Sequence, residues 1–362
     1  MSFTTHRILR PSTLLVGFLI TTGNPGYSQS PTFAGDAQHT AVFAPVAQRL
    51  NAIRWTTPID THYTGFAHYG APLITPSNTV IVSVKTAAGF QVKAFESATG
   101  RLKYTITNDY IMAPIASGGW IPVYQPVIAN PPSGARLYYP GAGGTIYHID
   151  NLDSDTPGIP IQECFYTNAA DYSNNASAYN SRVFVNTPIT ADTNGNVFFG
   201  FRIPQTNAAP APLNTTNGGF ARIDPAGNAS YVLVNAAAND ARITRDSHNS
   251  APALSNDGST LYVAVKGTNS NYAYLLGLDA TNLSTKYKVF LRNPSDNQPS
   301  SVPDDGTASP MLCGVARQFT RRCLLRSGRN PENITTVPHC HPVAKWENIV
   351  GWRHYWRSLI QR

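Results

Sequence analysis

The sequence predicts an all-β fold, a β-propeller of four-stranded antiparallel blades with four blades whole and a fifth begun, an incomplete ring. Three observations carry that expectation. The phrase "SAPALSNDGSTLYVAV" from Ser250 repeats the pattern of "GAPLITPSNTVIVSV" from Gly70 and "NTPITADTNGNVFFGF" from Asn186. Each gives a small or polar residue, a proline, an apolar pair, an Asn or Asp turn, and an apolar strand. The prolines that anchor the phrase, Pro72, Pro126, Pro188, Pro252 and Pro310, stand 54, 62, 64 and 58 residues apart. Charged residues make up only 13 % of the 362, while 28 Pro, 27 Gly, 18 Tyr and 15 Phe suit short strands joined by turns.

The elements follow in chain order. Residues 1–30 read as a secretory signal: His6, Arg7 and Arg10 precede the apolar run "STLLVGFLITT", and Ser28 and Ser30 supply small residues for cleavage. That run is too short to span a bilayer comfortably, and no later segment reaches that length, so no integral span is expected after signal removal. Secretion or a periplasmic location follows as the expected localisation. Residues 31–51 form a lead-in, and residues 52–312 carry the repeats.

Each whole repeat has a second anchor, an acidic residue closing an apolar strand: Glu96, Asp150, Asp224 and Asp279, placed 24, 24, 36 and 27 residues after the proline. The third interval is longer because "PQTNAAPAPLNTTNG", a polar and proline-rich insertion, interrupts a hairpin. Each unit therefore reads strand, turn, strand, loop, strand ending in an acid, turn, strand. The strands "TVIVSV", "VFFGF" and "LYVAV" are apolar almost throughout, as strands covered on both faces should be. A single blade leaves both faces bare, and stacking around an axis buries them.

The last segment, 313–362, changes character. It holds Cys313, Cys323 and Cys340 with eight Arg and three of the five Trp, and abandons the repeat just after the fifth proline. It is expected to lie outside the fold, disordered or read out of frame. Its cysteines make no Cys-x-x-Cys pair, so no zinc site is assigned. Charge locates the same way: residues 31–311 hold 16 basic and 18 acidic side chains, while the formal +7 of the chain comes from its two ends. No basic stripe runs along the repeats, which argues against nucleic acid as a partner.

Two Asp-rich turns, Asp192–Asn196 and Asp153–Gly158, fail the spacing of a calcium loop: glycine falls at the fourth position of the first, and proline at the fifth of the second. Both read as hairpin turns. His68 and His248 share a register four residues before a proline, where a propeller places the chain entering an innermost strand. Equivalent positions bring Tyr69, Tyr124, Gln125, Asn186, Asn249, Asp304 and Asp305 to the same level. A mixed ring of His, Tyr, Gln, Asn and Asp suits a polar or glycan-like ligand, although such groups also serve to satisfy loop backbone.

"AFESATGRLKY" and "LGLDATNLSTKYKV" resemble the alanine/leucine–acid–threonine–glycine signature of pyrroloquinoline-quinone-like propeller repeats, and "AIRWTTPID" is similar to the outer strand that precedes a first whole blade there. The resemblance covers about residues 52–312 and degenerates at "HIDNLDSDTPG" and "RIDPAGNAS", where the Thr-Gly pair is lost. It implies the propeller fold. Its enzymatic branch implies pyrroloquinoline quinone and calcium held beside adjacent cysteines, a stacking Trp and a catalytic Asp. This chain has no adjacent cysteines, and of its repeats only Trp55 and Trp120 supply an indole. The expectation is therefore a binding or scaffold module without a catalytic residue, metal or cofactor, its partner a small polar ligand, glycan or protein met by loops at one end of the blades. A quinoprotein-type oxidoreductase is the alternative.

Overall fold

The computed structural model describes residues 30–42, 52–58, 70–87, 89–114, 125–268, 272–293, 295–302, 304 and 308–312. Residues 1–29 of the expected signal segment and the 313–362 tail lie outside the described residues, while Ser30, expected as its last residue, belongs to the fold.

Four antiparallel sheets follow one another in chain order. The first runs β1 (Leu73–Ile74), β2 (Thr79–Thr86), β3 (Gly89–Glu96) and β4 (Leu102–Thr107). The second runs β5 (Val127–Ala129), β6 (Arg136–Pro140), β7 (Ile146–Ile149) and β8 (Ile161–Glu163). In the third the innermost strand is split into β9 (Phe184–Val185) and β10 (Thr190–Ala191), which both pair with β11 (Val197–Arg202), followed by β12 (Gly219–Ile223) and β13 (Ala229–Leu233). The fourth repeats the split: β14 (Ile243–Asp246) and β15 (Ala253–Leu254) both pair with β16 (Thr260–Gly267), then β17 (Ala273–Asp279) and β18 (Thr285–Phe290).

Both anchors of the repeat now have a physical reason. The proline stands just before β1 and β5, and in the breaks before β10 and β15, where no ladder donor is needed. The acid turns the chain toward the outermost strand by taking up backbone donors. Asp224 Oδ1 accepts from the N–H groups of Ala226 and Asn228, both at 2.9 Å, and Asp279 Oδ1 from those of Thr281 and Asn282 at 2.9 and 3.2 Å. Glu96 instead accepts from the Thr99 hydroxyl at 2.7 Å, and Asp150 pairs with Arg136 at 2.8 Å. The Asp192 turn is a hairpin turn of the same make, its Oδ1 accepting from Asn194 and Asn196 N–H, each at 2.8 Å.

The core lies between the sheets. Phe198, Phe199 and Phe201 of β11 are fully buried and alternate between the two faces of their sheet, so one strand contributes to two inter-blade layers. Burial of each ring contributes about 1.5–3 kcal/mol of transfer free energy. Residues 52–58 form no ladder, unlike the outer strand their sequence resembles. Trp55 instead lies beside Phe95, donating Nε1–H to the Ser97 carbonyl at 2.9 Å, and covers Gly100, where a Cβ would meet the indole at 2.6 Å.

Two features were not expected from the pattern. A helix, α1 (Ala169–Asn180), joins the second and third blades, its first turn capped by Asn168 Oδ1 accepting from the Asp171 N–H. Its Tyr172 and Tyr179 are buried, and Tyr179 donates to the Ala211 carbonyl at 2.6 Å, so the insertion after β11 folds onto this helix. The second is a strap. Residues 30–41 run across the innermost strand of every repeat in turn, touching the residues just after each anchoring proline. Ser30 bridges Ile74, the Pro31 carbonyl accepts from Ile128 N–H at 2.7 Å, and Thr32 donates to the Ile189 carbonyl at 3.4 Å. The Ala37 carbonyl then accepts from Leu254 N–H at 2.8 Å, and the Gln38 carbonyl from Leu312 N–H at 2.9 Å. The fifth repeat, begun at Pro310, is thereby tied to the other four.

Candidate functional site

Of the residues expected to face a ligand, His68, Tyr69, Tyr124 and Asp305 lie outside the described residues. Gln125, Asn186, His248, Asn249 and Asp304 are brought together in sequence, each reaching the next blade. Gln125 Nε2 donates to the Ala71 carbonyl of the first repeat at 3.2 Å, and its own carbonyl accepts from Ile189 N–H at 3.4 Å. Asn249 N–H donates to the Asn186 carbonyl at 2.9 Å, and His248 N–H to Asp304 Oδ1 at 3.0 Å. Asn186, His248 and Asn249 occupy the gaps between the two halves of the split innermost strands, and Gln125 stands two residues before β5. Gln125, Asn186 and His248 are almost wholly buried.

Part of the ring therefore stitches blades together. Gln125 is the clearest case: its amide fills the space beside Gly70, where any Cβ would collide with Oε1.

Between the third and fourth blades the ring does more. Asn186 Nδ2 donates to Asp246 Oδ1 at 2.8 Å, and Asn186 Oδ1 receives His248 Nδ1 at 2.6 Å. Burial raises the Asp246 carboxyl to about 7, only partly offset by the Asn186 amide and the field of Arg202. Burial likewise holds the His248 imidazole down to about 4, so the ring is neutral at pH 7. With its Nδ1 proton given to Asn186 Oδ1, Nε2 is left as a bare acceptor.

Around this buried group stand three cations that the sequence reading missed: Arg202, Arg245 and Lys266. Arg245 on β14 and Lys266 on β16 are direct cross-strand partners, a like-charge opposition that destabilises a sheet unless an anion intervenes. Asp304 supplies one, 3.2 Å from Lys266 Nζ. Burial alone would raise the Asp304 carboxyl, but Lys266, the His248 N–H and the two arginines hold it below its ordinary value, so it is an anion. Burial and the neighbouring Arg202 lower the Arg245 guanidinium. Lys266 is lowered too, by burial and then by both arginines against the pull of Asp304. The cations crowd one another, and among the described residues Asp304, with Asp246 only partly ionised at pH 7, does not balance three.

Four side-chain atoms of this group are buried without a hydrogen-bond partner: Asp246 Oδ2, His248 Nε2, Arg202 Nη1 and Arg245 Nε. A buried unpaired polar atom costs about 1–3 kcal/mol, so the cluster destabilises the fold as it stands. Its outer members are not sealed, since Asp304 keeps 25 % of its side-chain surface. The signal for Arg202 and Lys266 was present in "VFFGFR" and "LYVAVKG", each a lone cation at the end of an apolar run, whereas "ITRD" gives none for Arg245.

No family model matches this chain, and no curated protein sequence matches it. Among solved structures it is similar to a europium-containing methanol dehydrogenase, over 80 % of this chain and 52 % of that one, at 9 % identity and a TM-score of 0.51. It is also similar to the hydrazine synthase of Kuenenia stuttgartiensis, at 13 % identity over 64 % and 51 % of the two chains, and to the Dos1 propeller, at 11 % over 59 % and 45 %. Both of these have a TM-score of 0.34 and carry no argument. The chain spans about half the length of the methanol dehydrogenase, and at that identity the likeness speaks for architecture alone. Four successive antiparallel sheets, their innermost strands stitched side by side and crossed by one strap, agree with it: the chain is an all-β propeller of four-stranded blades.

Proposed function

We propose that this propeller is an exported binding module, and that the cluster of Asn186, Arg202, Arg245, Asp246, His248, Lys266 and Asp304 takes a small polar ligand. One observation carries the reading: four partnerless buried polar atoms on four side chains from two neighbouring blades, in a group whose three cations outnumber the two carboxylates, Asp246 and Asp304, that face them among the described residues. Such a group costs stability in the free protein and regains it when a ligand pairs with it. A glycan or a protein that presents such a group would engage the cluster in the same way.

Among the described residues nothing favours the quinoprotein alternative. The chain has no adjacent cysteines, and Trp55 is committed to the Ser97 carbonyl and the Phe95 ring at the edge of the first blade. Among the described residues no group of three His, Cys, Asp or Glu side chains is arranged to hold a metal ion.

The test is thermal unfolding of the full chain against a panel of monosaccharides, polyols and small acids, repeated with Arg245→Gln. At least one compound should raise the unfolding midpoint of the native chain and lose that effect in the variant. If nothing in the panel shifts the native chain, while pyrroloquinoline quinone with calcium supports reduction of an artificial electron acceptor, the binding-module reading is wrong.

A further inference from the structure

We infer that the ligand of this cluster is a hydroxylated carboxylate, a sugar acid or its equivalent, an inference that rests on the binding reading above. The four partnerless atoms do not ask for the same chemistry. Arg202 Nη1 and Arg245 Nε are donors and can only be satisfied by an acceptor. His248 Nε2 is an acceptor, because the Nδ1 proton is committed to Asn186 Oδ1, and needs an O–H or N–H. Asp246 Oδ2 is also an acceptor while the carboxylate is ionised.

A ligand that presents only anionic oxygens, such as sulfate, would satisfy the arginines and leave the histidine unanswered. A neutral sugar would answer the histidine and leave the cations unbalanced. A carboxylate that also carries hydroxyl groups meets both requirements.

The charge balance chooses the carboxylate end independently of hydrogen-bond counting. Arg245 and Lys266 are opposed across the β14–β16 ladder, and Arg202 on β11 adds a third positive charge whose field reaches both. Asp304 pairs with Lys266, and although its field and that of Asp246 reach Arg245, no ion pair closes on either guanidinium among the described residues. Planar guanidiniums are suited to a planar carboxylate. The remaining parts of the cluster, His248 Nε2 and Asp246 Oδ2, then accept from the hydroxyls. A ligand so held bridges the third and fourth blades.

The experiment is isothermal titration of the full-length protein at pH 7.5 with three matched probes: D-glucuronate, D-glucose and cyclohexanecarboxylate. They present hydroxyls with a carboxylate, hydroxyls alone and a carboxylate alone. Glucuronate should bind at least about tenfold more tightly than either of the others, the loss expected when one charge-assisted hydrogen bond goes unmade. Arg202→Gln should weaken glucuronate by about tenfold or more. Arg245→Gln serves as the second variant, and circular dichroism establishes that each is folded. If glucose or cyclohexanecarboxylate binds as tightly as glucuronate and the variants abolish it, the cluster is a ligand site but the assignment of ligand class is overturned. If none of the three binds at millimolar concentration, the sugar-acid assignment is overturned, and the compound panel described above decides separately whether the cluster binds anything.

Discussion

His39 ties the strap to the fifth repeat, and its protonation should loosen the fold. It is 3 % exposed, its Nδ1 meets the Pro310 carbonyl at 2.7 Å, its ring stands edge-on to Phe33, and its Nε2 is buried without a partner. Burial outweighs the help of that carbonyl and of Asp36 and lowers the imidazole from 6.5 to about 4. In the unfolded chain the same ring titrates at its ordinary value, so between these limits the unfolded state binds the proton and the folded state does not. Stability from this group is therefore complete above pH 6.5 and is lost as pH falls toward 4. At roughly 1.4 kcal/mol per pH unit the full loss is about 3 kcal/mol, and about 2 kcal/mol of it is spent by pH 4.5. His39→Gln removes the titration. Urea unfolding at pH 7 and pH 4.5 should show the native chain losing about 2 kcal/mol more than the variant across that interval. Comparing the two chains cancels the other titrating groups, including His148, which burial also holds near 4, and His248. Equal losses in the two would refute the claim that His39 is buried in its neutral form.

Asp246 has the opposite sign: its folded value lies above its unfolded one, so stability present in acid is lost as pH rises from 3.8 through about 7. Asp246→Asn should therefore gain stability relative to the native chain on going from pH 5 to pH 8, by at most about 3 kcal/mol, read from urea midpoints, and an unchanged difference would contradict the burial. Gly200→Ala places a Cβ 2.5 Å from Asp246 Oδ2 and 2.6 Å from Thr187 Cγ2. It should cost about 1–3 kcal/mol, measured the same way. Cys164 is half-buried, and burial pushes its thiol up; peptide mapping after iodoacetamide treatment at pH 7.5 should find it alkylated at least about tenfold more slowly in the folded chain than in urea.

The repeat was legible because its two anchors follow from backbone chemistry. A proline is tolerated only where a strand needs no donor, and an acid is useful where a turn leaves donors free, so both recur once per blade. Asn186 and His248 were legible because they hold a fixed place beside that proline. Arg202, Arg245 and Lys266 were not, since each belongs to a different strand and only the pairing of β14 with β16, and of one blade with the next, brings them together. Helix α1 escaped notice because its apolar face is two tyrosines seven residues apart among Asn, Ser and Ala. The strap escaped because it crosses the blades with main-chain groups and a few scattered polar side chains, Thr32, Gln38 and His39, that follow no repeating pattern.

That strap also sets an order of events in the life of the molecule. It precedes every blade in the chain, yet its contact between His39 and Pro310 joins residues 271 apart. Closing so long a loop is slow, and during synthesis the segment emerges before any strand it will cross. It must wait, extended, while the blades form behind it, and it engages fully only when the fifth repeat arrives. A nascent chain halted before Pro310 would carry His39 and Gln38 without their final partners, exposing the strap's far end to proteases. A segment made before any blade thus reports on whether the fifth repeat has arrived.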